Sequence, residues 1–346
     1  MTSPEMLKSF LMSMIKSEDI RQKASNLWME SISKLALYGK EVDSEFFRAW
    51  FRGRFAVNLT DGTEFEAIGS SLHRWFKTNY KLFHLHTDAD ILQFIGDDIP
   101  FYVGVFTTIR NAEINRVRGL ETILSMSPYM YATSLFYPIY LSVINRSDSV
   151  DVITQKIQVV AKAIDCFITR RLLGLQSISQ SSTRYVLYGL LERLRGKEAS
   201  EISEIFSTMI TEKTPEINFY QLASYYPYKF LHYLHYRMNL YLAMSENSEN
   251  YVTYKESRSY QIYCLDQELS QLDKASYRED NDVRLVDLVM ADMNKDGALN
   301  KSFNRLVHDE YFARGQQHLP AGVDLDAIKA SSYTLMNDVI QRLWTL

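Results

Sequence analysis

Residues 151–174 read DVITQKIQVVAKAIDCFITRRLLG, and residues 175–197 follow as LQSISQSSTRYVLYGLLERLRGK. Ile153, Ile157, Val160, Ile164 and Phe167 recur at intervals of three and four, which places them on one helical face. The spacing predicts a helix that runs into Arg170-Arg171 and stops near Gly174, a residue that tolerates a left-handed C-terminal turn. A hydroxyl in Ser177-Ile178-Ser179-Gln180-Ser181-Ser182-Thr183 can cap a second helix. That helix carries Leu187, Leu190, Leu191 and Leu194 and closes at Gly196. Arg170, Arg171, Arg184, Arg193, Arg195 and Lys197 stand against one acid, Glu192, in this stretch.

The same grammar extends in both directions. Thr2-Ser3-Pro4-Glu5 is a helix start: a hydroxyl cap, a proline in the first turn and an acid beside it. Helical spacing follows in Leu7, Phe10, Leu11, Met14 and Ile15, then in Ala24, Leu27, Trp28, Ile32 and Leu35. A third helix from Asp43-Ser44 holds Phe46, Phe47, Trp50 and Phe51. Its Arg48, Arg52 and Arg54 form a basic stripe, for which the plain reading is a solvated face. Phe65 to Phe83 is helical again, and a helix pair from Asp88 to Thr107 is interrupted at Asp98-Ile99-Pro100. Pro128 to Ile144 is nearly all apolar and predicts a buried helix. Thr214-Pro215-Glu216 repeats the start signal, Tyr220 to Met244 is rich in tyrosine, and Ser259 to Cys264 can hold a short strand. A last helix, from Asp324 to Trp344, turns Ile328, Leu335, Val339, Ile340 and Leu343 inward.

The expected fold is mainly α: a multi-helix bundle with a small C-terminal part that can be α+β. Polar joints at Ser147–Ser149 and Ser245–Asn250 suggest regions 1–148, 149–250 and 251–346. Of 346 residues, 46% are apolar, ample for a core, and only 13 are Gly and 7 Pro, few for a turn-rich sheet protein. The net charge of −4 excludes a wholly basic nucleic-acid binder, so any DNA contact needs a local patch. Cys166 and Cys264 give no disulfide framework and suit a reducing compartment. Met1 to Ile15 carries Pro4, Glu5 and Lys8 and reads as no secretory signal. Pro138 to Ile144 falls short of the roughly 20 apolar residues of a membrane span. These points together read as a cytoplasmic protein.

No metal set stands out. His84-Leu85-His86 alternates, which is not a convincing ligand spacing, and His73 is not tied to it. His232 and His235 lie three apart but have no Cys or carboxylate at matching spacing, so a packed, hydrogen-bonded role is the plainer one. Asp292, Asn294 and Asp296, with Gly297, look like the start of a calcium loop. The twelfth position, where a bidentate carboxylate belongs, is Phe303, which favours a plain turn. By composition and spacing alone the chain is a soluble, mostly helical protein with one local basic region.

Several segments in order carry a resemblance. They are Leu7-Lys8-Ser9-Phe10-Leu11, Phe46-Phe47-Arg48-Ala49-Trp50, Phe65-Glu66-Ala67-Ile68-Gly69 with His73-Arg74-Trp75, Arg170-Arg171 with Ser177-Ile178-Ser179, and Arg195-Gly196-Lys197. Together they resemble the helical part of the GmrSD-type modification-dependent restriction endonucleases, over most of the chain and most clearly from Phe65 to Tyr260. That family places a ParB-like domain first, then a helical region, then an HNH nuclease, and defends bacteria against phage with modified DNA. The resemblance implies that Met1 falls about where the helical region begins, with a ParB-like subunit encoded separately.

At the other end the family has Glu-His-Ile after a Tyr-x-Ile/Val strand. Here Tyr260-Gln261-Ile262 leads into Tyr263-Cys264-Leu265, so the match puts Cys264 where the general-base histidine stands. Asn304, in Lys301-Ser302-Phe303-Asn304, resembles the asparagine-bearing part of the nuclease. HNH hydrolysis needs an imidazole base and a divalent metal. Cysteine is a poor base for water, so the expectation is a nuclease remnant without activity and without a cofactor. The implied role is a DNA-binding or scaffolding subunit. Arg170, Arg171, Ser179, Ser181, Arg184, Arg195 and Lys197 are its candidate phosphate contacts. For Arg170 and Arg171 the competing role is charge at a helix C-terminus, worth about 0.3–1 kcal/mol each. Two alternatives remain: a metal-dependent nuclease whose base comes from elsewhere, such as His308 or His318, and a helical protein-interaction module.

Overall fold

The structure is a computed structural model that describes residues 2–57, 64–126, 133–218, 220–245, 261–264, 283–285, 288–291 and 325–346. It is mainly α. The helices are α1 (Ser3–Met14), α2 (Glu18–Ala36), α3 (Val42–Phe55), α4 (Glu64–Asn79), α5 (Asp88–Gln93), α6 (Ile99–Ala112), α7 (Glu121–Met126), α8 (Tyr137–Ser142) and α9 (Val150–Leu173). They continue with α10 (Gln180–Tyr188), α11 (Leu191–Leu194), α12 (Ala199–Lys213), α13 (Tyr228–Ser245) and α14 (Leu325–Trp344). One antiparallel pair joins β1 (Gln261–Cys264) to β2 (Leu288–Ala291), with Cys264 opposite Leu288.

The chain divides into two compact units, Met1–Ile164 with Ile178–Lys213, and Asp165–Ser177 with Thr214–Leu346. The expected joint at 148/149 does mark the start of α9, yet the division falls inside α9, between Ile164 and Asp165.

In the first unit the Thr2–Glu5 start signal acts as read, whereas α3 starts at Val42, after Glu41, and not from a cap at Asp43 or Ser44. Thr2 and Glu5 close a capping box on α1, and Thr87 and Asp90 close another on α5. Asp88 accepts from the backbone N–H groups of Lys16 and Ser17, which ties the α1–α2 turn to the start of α5. Pro100 does not break the chain into a pair of separate helices. A π turn over Phe94–Asp98 carries the helix on into α6.

The core forms around α3, which buries Phe46, Phe47, Ala49, Trp50, Phe51 and Gly53. Trp50 stacks on Phe94 at 5.7 Å and on Tyr102 at 4.7 Å, and Phe51 stacks on Phe76 at 5.6 Å. Gly53 lets α8 approach: a Cβ there would lie 2.4 Å from the Pro138 carbonyl oxygen. The apolar run before α9 yields the short, fully buried α8 after a 3₁₀ turn at Thr133–Leu135. The polar joint is pinned, because Asp148 accepts from the Asn145 N–H and from Lys156, which is 0% exposed.

The second unit is built on α13, a helix buried on every side between His232 and Leu240. α14 covers it with Met336, Val339, Ile340 and Trp344, whereas Leu335 and Leu343 are only half-buried. Asp165, from the end of α9, is buried among three donors: the Tyr233 hydroxyl at 2.8 Å, the Trp344 indole N–H at 3.1 Å and the Arg237 guanidinium. Burial alone would depress the Arg237 guanidinium; Asp165 and the Tyr233 and Tyr236 phenols more than offset that, so Arg237 stays charged. Thr214-Pro215-Glu216 starts no helix. Pro215 packs instead on Gly174, where a Cβ would meet its ring at 2.0 Å. The left-handed turn expected at Gly174 falls on Leu175, at φ 55°.

Candidate anion-binding site

Arg48 and Arg52 stand one turn apart on α3 and line a pocket of about 400 Å³ in the first unit. Lys40, Glu41 and Glu45 lead into it along the start of the same helix, and Ser134, Leu135, Pro138 and Tyr188 complete the wall. The stripe Arg48, Arg52, Arg54 is therefore not a plain solvated face. Arg54 turns to the Ser142 and Ile144 carbonyl oxygens, at 3.5 and 3.1 Å.

Arg52 is held on two sides. Its Nε donates to the Phe65 carbonyl at 3.1 Å, and its guanidinium lies 4.0 Å over the Phe65 ring. Gly69 leaves the room it needs, since a Cβ there would sit 2.0 Å from an Arg52 Nη. Arg184, from α10, approaches the same ring at 5.7 Å. Burial lowers the Arg52 pKa, and Arg48 and Arg184 lower it further against the opposing pull of Tyr188 and Glu66. Arg52 thus feels the guanidiniums of both Arg48 and Arg184. Among the described residues none of them has a carboxylate within 4 Å.

Tyr188 packs its ring on Phe65 at 4.8 Å and is only 4% exposed. Burial pushes its phenol up to about 12, although Arg52 and Arg184 pull the other way. The hydroxyl therefore remains a proton donor throughout the working pH range. It has no hydrogen-bond partner among the described residues. Nor does the buried Nε of Arg48. Across the pocket, burial raises the pKa of Glu45, and Arg110, 3.8 Å away, draws it back.

The residues expected to meet DNA are dispersed. Arg170 and Arg171 fall in the second unit. The Arg170 Nε is buried without a partner among the described residues, while Arg171 donates to the Ser177 carbonyl at 2.7 Å and lies 5.5 Å over the Phe167 ring. Ser179 caps α10 by accepting from the Ser182 N–H, and its hydroxyl meets that of Ser181 at 3.1 Å. Arg195 donates to the Gly53 and Ala56 carbonyl oxygens at the end of α3. Lys197 pairs with Glu201 at 2.8 Å. Only Arg184 comes near the α3 arginines, over the Phe65 ring, and it does not line the pocket. The α3 stripe was visible in sequence; its meeting with Arg184 and Tyr188 had no local signal.

His84 and His86 hold their rings 6.3 Å apart, and among the described residues no three His, Cys, Asp or Glu side chains form a metal-binding group. His232 and His235 are both buried, as expected, but among the described residues both ring nitrogens of His235 lack a partner. Cys264 ends β1. Asn304, Asp292, Asn294, Asp296, Phe303, His308 and His318 lie outside the described residues. No helix among the described residues is long and apolar enough to cross a membrane. No family model, curated protein or solved structure matches the chain.

Proposed function

We propose that the chain is a DNA-binding or scaffolding subunit of a GmrSD-like anti-phage restriction system, acting in the bacterial cytoplasm with a ParB-like partner. It has no nuclease activity of its own. The observation that carries the DNA reading is the convergence of Arg48, Arg52 and Arg184 without a carboxylate within 4 Å among the described residues. Guanidiniums held in this way are fitted to phosphate, which they bind through paired N–H donors. The silent-nuclease reading rests on Cys264 at the position that the resemblance gives to the base, because a thiol is poorly suited to activate water.

The test is duplex DNA binding by the full chain, followed by fluorescence anisotropy from about 50 to 200 mM salt. Each phosphate contact removed by Arg48→Ala, Arg52→Ala or Arg184→Ala should flatten the log–log salt slope by about 0.9. Plasmid should stay intact with magnesium or manganese. Unchanged slopes in the triple variant, or cleavage abolished by Cys264→Ala, would remove the corresponding half of the proposal.

A further inference from the structure

We infer that the pocket between α3, α8 and α10 binds a terminal phosphate monoester, with the phosphoryl group held by Arg48, Arg52 and the Tyr188 hydroxyl. The inference rests on the phosphate-contact reading of the two arginines but not on duplex binding.

Concavity is the first argument. A duplex backbone lies across a surface, whereas Arg48, Arg52 and Tyr188 line a pocket of about 400 Å³. That is the lower range of small-molecule sites, which run from about 300 to 1,000 Å³. Unmet hydrogen-bonding capacity is the second. Tyr188 lines the pocket, and among the described residues its hydroxyl donates to nothing. A hydroxyl that lines a pocket with no partner among the described residues is available to donate to a ligand acceptor.

Charge is the third. Glu45 is answered by Arg110, which leaves Lys40, Arg48 and Arg52 against Glu41. This excess suits a monoester, which carries about −1.5 to −2 near neutral pH, better than the single charge of an internal phosphodiester. Arg52 is fixed before any ligand arrives by Phe65 and by the absence of a side chain at Gly69, so little ordering is needed on binding. Glu41 and Glu45 leave acceptors on the same wall for hydroxyl or amino groups. A sugar-linked phosphate is therefore the matching chemistry, and it has two sources: a free nucleoside monophosphate or the 5′-phosphorylated end of a DNA strand.

The test is calorimetric titration of the full chain with adenosine 5′-monophosphate, adenosine, inorganic phosphate and one oligonucleotide with and without a 5′-phosphate. The monophosphate should saturate one site and adenosine should not. Arg48→Ala and Arg52→Ala should each weaken it by roughly tenfold or more, the worth of a charge-assisted hydrogen bond. Tyr188→Phe removes only a hydroxyl with no internal partner, so folding should persist while affinity falls by about three- to tenfold. Arg193→Ala, an exposed cation outside the pocket, should change nothing. Tighter binding of the phosphorylated oligonucleotide than of the monophosphate would assign the DNA end as source, and the reverse order the free nucleotide. Duplex binding without any saturable monophosphate site would overturn the inference and leave the DNA reading standing. Monophosphate binding unaltered by Arg48→Ala and Tyr188→Phe would overturn it too.

Discussion

Asp165→Ala should be among the most damaging single changes in the second unit. The carboxylate is 1% exposed and takes the Tyr233 hydroxyl, the Trp344 indole N–H and the Arg237 guanidinium. Arg237 is itself buried, and among the described residues its Nε lacks a partner. Removing Asp165 leaves an uncompensated buried cation, which costs about 3–5 kcal/mol, and takes an acceptor from the Trp344 indole N–H as well. A domain is stable by only about 5–15 kcal/mol in all, so the variant approaches unfolding of this unit. Two compact units need not unfold together, and a single melting curve would blend them. Hydrogen–deuterium exchange of the α13 amides reads the second unit by itself. Protection there should fall by a few kcal/mol, while α3 amides keep theirs. Asp165→Leu with Arg237→Met should recover a large part of the loss, because apolar residues of similar volume replace a buried pair at little cost. A loss below about 1 kcal/mol, or a double variant no better than Asp165→Ala, would refute the reasoning.

His235 is fully buried, and burial, aided by His232, lowers its pKa to about 3. Between that value and the unfolded value near 6.5 the unfolded chain binds more protons, so stability falls with falling pH and loses roughly 2 kcal/mol by about pH 5. His235→Leu should flatten that slope in denaturant titrations at pH 7 and pH 5, and leave it unchanged above pH 7. Arg195→Ala should cost about 2 kcal/mol, read by α3 amide exchange, through the Gly53 and Ala56 carbonyls, without changing the DNA salt slope. Arg195→Lys should not restore it, since one ammonium lacks the planar fork that reaches both oxygens. Gly69→Ala should move Arg52 aside and weaken monophosphate binding, with global stability held near its original value by the gain of about 1 kcal/mol in helix propensity.

Periodic apolar faces and caps were legible because both are local. Ile157, Val160, Ile164 and Phe167 are all fully buried, and Leu187, Leu190, Leu191 and Leu194 line one side even though the helix breaks after Tyr188. What was not legible depends on neighbours far along the chain. Lys156 is charged and lies on α9 beside the apolar stripe, yet it is buried, because Asp148 turns back from the polar joint to meet it. Gly174 signalled a helix end by residue type. Its structural use is the close approach of Pro215, and Leu175 takes the strained backbone. His235 follows the α13 pattern into the core, where spacing alone gives no information about whether a partner waits for its nitrogens.

The basic run from Arg170 to Lys197 makes the same point about charge. Six cations against one acid look like one patch when written as a string. Folded, two of them belong to the second unit, Arg195 satisfies carbonyls that a helix end would otherwise leave open, and Lys197 finds its own glutamate one turn away. A cation committed to a carbonyl or a carboxylate has little left for a phosphate, since leaving would expose the partner it satisfied. Arg52 spends only its Nε on the Phe65 carbonyl, and Arg52 and Arg184 are otherwise held over the Phe65 ring. An aromatic face orients a guanidinium while leaving most of its N–H donors unspent. Phe65 therefore explains why Arg52 and Arg184 can be held together from α3 and α10 without a carboxylate within 4 Å among the described residues.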